Sequence, residues 1–146
     1  ASDPVVADRM VCAVAYQGRV ACFDVANGNP LWVRDVSSTA GLDIGARTLY
    51  VADDKGAVHA FDRNSGASLW KQDKLAMRAL TRPLALDRRV AIADFQGVVH
   101  VLSEEDGSFA ARLTTDGSAI VAAPRRLDEG FLVQTKNGAL HALTVK

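Results

Sequence analysis

Residues 49–70 read LYVADDKGAVHAFDRNSGASLW: an apolar segment, a Lys55-Gly56 turn, a second apolar segment closing on Asp62, a Ser65-Gly66 turn, and a third segment carrying Trp70. Short apolar runs punctuated by turn residues spell strand, turn, strand, turn, strand, which is most of one antiparallel sheet. The same arrangement stands earlier at residues 11–32, VCAVAYQGRVACFDVANGNPLW, and later at residues 90–111, VAIADFQGVVHVLSEEDGSFAA. It begins once more at Phe131 with FLVQTKNGALHALTVK. One unit is being repeated.

The turn glycines set the period. The first recurs at Gly18, Gly56, Gly97 and Gly138, in steps of 38, 41 and 41 residues, and the second at Gly28, Gly66 and Gly107, in steps of 38 and 41. A period near 40 with several short strands per unit points to an all-β fold of propeller blades, because helical repeats of that length would need an apolar period of about 3.6 residues. Four antiparallel blades are predicted, over residues 3–35, 41–73, 80–113 and 120–146, within a single partial domain covering 1–146. The last blade is expected to lack its outer strand, leaving open edges through which the chain would pair with another copy.

Composition narrows the function classes. Seventeen basic residues offset seventeen acidic ones among 146, so no global field favours nucleic acid or an anionic membrane. Uncharged runs reach only nine residues, as in Met10 to Gly18, against about 18 or more for a membrane-spanning helix. The first residues read as internal to a longer protein.

The repeated positions have structural roles to suggest. Asp24 and Asp62 stand four residues before Gly28 and Gly66, where a carboxylate accepts backbone N–H bonds inside the turn; Ser103 holds that place before Gly107. Trp32 and Trp70 each follow that glycine by four residues. They are expected to pack across the seam between neighbouring blades, the alternative being a stacking platform for a ligand. Ala111 takes the tryptophan position in the third unit, with Phe109 expected to fill part of the missing volume.

The connection from Lys71 to Arg82 is longer than a turn needs. Leu75, Met77 and Leu80 make it partly apolar, which fits either partner contact or a loop tucked over its own blade. His59, His100 and His141 each lie three residues after a turn glycine. Equivalent places in successive blades do not converge on a single ion, and packing roles are expected. Cys12 and Cys22 flank the Gly18 hairpin, and free thiols are expected because bridges across adjacent strands are geometrically awkward. No Gly-x-Ser-x-Gly, His-Glu-x-x-His, Cys-x-x-Cys or phosphate-cradling loop is present, so the chain reads as a non-enzyme with no cofactor or metal.

The segments Ala60 to Trp70 and Cys22 to Trp32 resemble the tryptophan-docking repeat of pyrroloquinoline-quinone-type propellers. Within that superfamily the whole chain resembles the C-terminal half of the BamB family, the propeller lipoproteins of the outer-membrane β-barrel assembly machinery. The specific points are Leu80-Thr81-Arg82-Pro83, Glu105-Asp106-Gly107-Ser108-Phe109 and the ending Ala139-Leu140-His141-Ala142-Leu143. The resemblance implies an eight-bladed ring, lipid-anchored at the periplasmic face of the outer membrane. It also implies binding to the POTRA region of BamA and support for unfolded outer-membrane proteins. The family's acidic contact loop falls near the start of the first blade, where Asp3 is its one remnant; Leu75 and Met77 are the other candidate contacts. The enzyme alternative is a fragment of a quinoprotein dehydrogenase, which shares the repeat. Those enzymes resemble one another in an adjacent-cysteine pair and in acidic and amide calcium ligands, and neither set is recognisable here.

Overall fold

The computed structural model describes residues 3–15 and 18–145. Gln17 of the expected Gln17-Gly18 turn and Lys146 of the fourth unit lie outside the described residues. The first sheet is β1 (Val5–Ala7), β2 (Met10–Ala15), β3 (Arg19–Asp24) and β4 (Pro30–Asp35). The second is β5 (Gly41–Ile44), β6 (Thr48–Ala52), β7 (Val58–Asp62) and β8 (Ser68–Gln72). The third is β9 (Leu84–Leu86), β10 (Arg89–Ala93), β11 (Val98–Ser103) and β12 (Phe109–Thr114), and the fourth is β13 (Arg125–Arg126), β14 (Phe131–Gln134) and β15 (Leu140–Leu143). Each sheet is antiparallel with its strands in chain order, and no helix occurs among the described residues. The architecture is all-β and of the propeller kind.

The strand sequences explain why the sheets stack. Successive side chains in a strand point to opposite faces, and β6 is buried at every position. Leu49 and Val51 enter the seam with the first sheet, while Tyr50 enters the seam with the third. In β10, Val90 and Ile92 face the second sheet, and Ala91 and Ala93 face the fourth. A strand with two apolar faces reads as a continuous apolar run, which is how these segments look in the sequence. The core is therefore three apolar seams rather than one central cluster.

The second turn of each unit is built locally. The Asp24 carboxylate accepts the Ala26 N–H at 2.7 Å, and the Asp62 carboxylate accepts those of Asn64 and Ser65, each at 2.9 Å. Ser103 accepts the Glu105 N–H at 3.3 Å in the third unit. Gly28, Gly66 and Gly107 close the turns through N–H bonds to the carbonyls of Asp24, Asp62 and Ser103. A one-residue register shift follows in all three sheets, between Cys22 and Phe23, Ala60 and Phe61, and Val101 and Leu102. Such a bulge leaves one residue unpaired. It turns Leu31 (45% exposed) and Leu69 (48% exposed) outward and aims the next residue, Trp32 or Trp70, into the seam.

Each indole then crosses to the neighbouring sheet. Trp32 donates its Nε1–H to the Arg63 carbonyl at 2.8 Å, and Trp70 donates to the Glu104 carbonyl at 2.7 Å. The rings lie flat on the next turn glycine: a Cβ on Gly66 would fall 2.5 Å from the Trp32 ring, and one on Gly107 would fall 2.5 Å from Trp70. In the third sheet Ala111 takes the tryptophan place and faces the fourth sheet. Phe109 does not fill that volume, contrary to expectation. The bulge pairs Phe109 with Leu102 rather than Val101, so its ring packs in the seam behind, against the second sheet.

The cysteines also correct the sequence reading. Cys12 and Cys22 are joined by a disulfide, and among the described residues there is no free cysteine. Register places the two directly opposite each other, with Cα atoms 4.1 Å apart. Close pairs of this kind bring both side chains to one face of the ladder. That face is fully buried and continues into Trp32, the register partner of Cys22, so the bridge fills the seam that Tyr50 and Ala60 fill one sheet on.

Two stability measurements follow. Gly28 and Gly66 share the same left-handed backbone, at φ 73° and 74°, but only Gly66 lies beneath an indole. Gly28→Ala is expected to cost about 1 kcal/mol for the backbone alone. Gly66→Ala adds about 1–3 kcal/mol for displacing Trp32, read as a lower midpoint in urea. Replacing both Cys12 and Cys22 by Ser removes a short cross-link and is expected to cost about 2–3 kcal/mol in the same assay.

Candidate functional site

The first-turn glycines Gly18, Gly56, Gly97 and Gly138 all carry positive φ and lie at one end of the sheets. Around them the structure assembles a pattern that the sequence reading passed over. An aspartate stands three residues before Gly56 and Gly97, and a histidine three residues after, giving Asp53 with His59 and Asp94 with His100. The two carboxylates act alike. Asp53 Oδ1 accepts the N–H groups of Lys55 and Ala57 at 2.9 Å, and Asp94 Oδ1 accepts those of Gln96 at 2.8 Å and Val98 at 3.0 Å. Each Oδ2 meets the histidine Nε2 at 2.7 Å. In the fourth unit Thr135 replaces the aspartate and donates its hydroxyl to Asp116 of the preceding connection at 2.7 Å, with His141 Nε2 4.0 Å from the same oxygen. The signal was present as Asp-x-x-Gly-x-x-His in consecutive units.

Asp94 is the most connected of these groups. It is fully buried and also receives the Arg78 guanidinium at 2.9 Å, which bonds Gln96 at 3.2 Å as well. Burial pushes the Asp94 carboxyl upward, but the bonds from His100, Val98, Arg78 and Gln96 outweigh it and hold the group below the usual carboxylate range. Asp53 is lowered in the same way, against burial, chiefly by His59. Burial moves His100 downward, and the nearby Asp94 only partly restores it. The Nε2 of His100 lies at hydrogen-bond distance from the Asp94 carboxylate, while its buried Nδ1 has no hydrogen-bond partner. Asp116 sits at about 2 because Ser118 and Thr135 both donate to it.

The Lys71 to Arg82 connection is fixed across this end. Leu75 is fully buried in the seam between the second and third sheets, with its backbone against Gly56. This corrects its reading as a partner contact, since a side chain spent on the core is not offered to a partner. Met77 is 99% exposed. It and Ala79 hold left-handed backbones, at φ 63° and 51°, on either side of the anchored Arg78. Asp3 is exposed and lines a hollow of about 450 Å³ together with Thr39, Leu80, Arg82 and Val121.

Chemically these groups clip hairpins to connections. His59 and His100 spend Nε2 on their own hairpins, the buried Nδ1 of His100 touches no nucleophile, and both cysteines are bridged. Among the described residues no group of three or more His, Cys, Asp or Glu side chains is placed to hold a metal ion.

Sheets of this form, joined by tryptophans lying on the turn glycines of their neighbours, define a class: a β-propeller segment of pyrroloquinoline-quinone-type repeats. A family model described as outer membrane protein assembly factor BamB matches residues 1–72. The outer membrane protein assembly factor BamB of Bordetella pertussis is 49% identical over 138 residues, 94% of this chain and 36% of that protein. The chain belongs to the BamB family. It spans about a third of the length of the curated relatives it matches. The crystal structure of BamB from Moraxella catarrhalis superposes with a TM-score of 0.86 at 31% identity, over 94% of this chain and 40% of that one. A europium-containing methanol dehydrogenase superposes at 0.64 with 18% identity, over 78% of this chain and 24% of that one, a likeness of fold alone.

The protonation states give a pH test. A histidine lowered on folding favours the folded state fully above its ordinary value of 6.5, and that contribution is lost as pH falls below it. The lowered Asp94 acts only at lower pH, its contribution disappearing as pH falls below the usual value of 3.8. Thermal midpoints are expected to drop between pH 7 and pH 5, with a shallower drop in His100→Gln. Parallel slopes in the two proteins would remove His100 from this role.

Proposed function

We propose that this chain is a non-catalytic scaffold of the outer-membrane protein assembly machinery. In the intact protein it binds the periplasmic POTRA region of BamA and supports the folding and insertion of β-barrel proteins. The observation that carries this reading is the 49% identity to a BamB protein across 94% of the chain. The names of the matched relatives are those of an assembly factor and not of an enzyme.

The buried disulfide supports placement on the periplasmic side of the outer membrane, because such bridges persist in oxidising compartments. A lipid anchor in the intact protein is part of the same proposal and rests on the family. Asp3 and Met77, both exposed, are the proposed BamA contacts. Trp32, Trp70, Asp24, Asp62 and the turn glycines are proposed to serve this role indirectly, by holding the blades in fixed relation. The quinoprotein reading has a likeness of fold behind it, and fold does not carry activity.

Titration of the full-length protein against purified BamA POTRA domains tests the proposal. Saturable binding, weakened by Asp3→Lys combined with Met77→Asp, is the expected result. Saturable uptake of pyrroloquinoline quinone with calcium, accompanied by dye reduction, would contradict it.

A further inference from the structure

Sulfur is distributed unevenly over this chain, which has two methionines and two cysteines. Met10 is 5% exposed and lies with the bridged Cys12 and Cys22 in the apolar seam between the first and second sheets. Met77 stands at the other extreme, 99% exposed. A thioether so placed adds nothing to the core, yet it is the sulfur that a dissolved oxidant meets first.

The backbone around Met77 keeps the side chain from withdrawing. Two residues earlier, Leu75 is fully buried in the seam between the second and third sheets. One residue later, the Arg78 carbonyl accepts the Phe95 N–H at 2.9 Å, and its guanidinium donates to the buried Asp94 carboxylate at 2.9 Å and to Gln96 at 3.2 Å. Between these anchors Met77 adopts φ 63°, and Ala79 just beyond them adopts φ 51°. That conformation persists in residues with side chains only where the surroundings impose it. Ala76 and Ala79 are themselves exposed and too short to cover the sulfur.

Peroxides oxidise methionine by oxygen transfer. A sulfur lone pair attacks one peroxide oxygen, and the O–O bond breaks as the S–O bond forms. The proton on the transferred oxygen passes to the departing hydroxide, which leaves as water, so sulfur is oxidised by two electrons and peroxide is reduced by two. In a core the product disrupts packing, because a flexible apolar side chain becomes polar. At Met77 there is no packing to lose. Methionine sulfoxide reductases reverse the change: a dithiol is oxidised to a disulfide and the oxygen departs as water.

We propose that Met77 is a site of reversible oxidation by peroxide. It consumes oxidant as its sulfoxide and returns to the thioether through a dithiol-dependent methionine sulfoxide reductase, while the fold and the sealed sulfurs of the first seam stay unchanged. The inference invokes no partner and stands apart from the BamA reading.

The test treats the full-length protein with hydrogen peroxide under native conditions and follows each methionine by mass spectrometry of its peptides. Met77 is expected to gain one oxygen at a rate within about twofold of free methionine and about tenfold or more faster than Met10. Reductases for both sulfoxide epimers, with dithiothreitol, are expected to restore the original mass of the Met77 peptide in the folded protein. Met77→Leu treated alongside serves as the control for oxidation elsewhere, and the two treated proteins are expected to unfold with the same change in urea midpoint. Equal rates at Met77 and Met10 would overturn the proposal. So would a Met77 sulfoxide that both reductases leave in place, or a midpoint lowered by peroxide in the native sequence but not in Met77→Leu. POTRA binding by the untreated protein is untouched by any of these results, so failure here leaves the BamA reading standing.

Discussion

The structure depends on an indole lying flat on a glycine of the next sheet. Each sheet alone has two apolar faces and only a handful of strands, too little to be stable in isolation. Stacking solves this only if neighbours meet at a fixed angle and depth. Trp32 on Gly66 and Trp70 on Gly107 set both, because the glycine admits the ring at a distance no other residue allows and the nearby carbonyl takes the indole N–H. The bulge before each tryptophan, the aspartate that closes the turn and the positive-φ glycine serve that single contact. Where Ala111 stands instead, the third seam is built from Ala91, Ala93, Val99, Val101, Ile120, Phe131 and Val133, with small residues on one side and a large ring on the other.

At the opposite turns a different chemistry does comparable work. Buried carboxylates there are satisfied by backbone N–H groups and by histidine, which keeps a charged group in the interior tolerable. Asp94 gathers its hairpin and the connection from the second sheet through its carboxylate, and the strand-free stretch leading to the fourth sheet through its carbonyl. Connections that would otherwise be loose become a defined surface.

Much of the architecture was legible in the sequence because it is written in short-range chemistry. Glycines spaced by about 40 residues, each required at a positive-φ corner, mark the units; continuous apolar runs mark strands buried between two neighbours. What a period cannot show is a shift of one residue. The bulge at Val101 and Leu102 sends Phe109 to the other face, and only the paired strands reveal it. The Cys12–Cys22 bridge was misread because adjacency across strands was taken as a barrier, whereas register sets the two side chains on the same buried face. Leu75 looked available because its connection is long, yet Gly56 leaves room for that backbone to close over the seam. The Asp-His clips were visible as spacing; weighing the histidines only as metal ligands hid their partners.

The docking contact is tested most directly by a double-mutant cycle joining Trp32→Ala with Gly66→Ala, measured as free energies of urea unfolding. If the ring lies on the glycine, the added methyl costs much less once the ring is gone, and the two substitutions couple by about 1 kcal/mol or more. Costs that add to within about 0.5 kcal/mol would mean that Trp32 and Gly66 do not touch, and would contradict the account of how the sheets are joined.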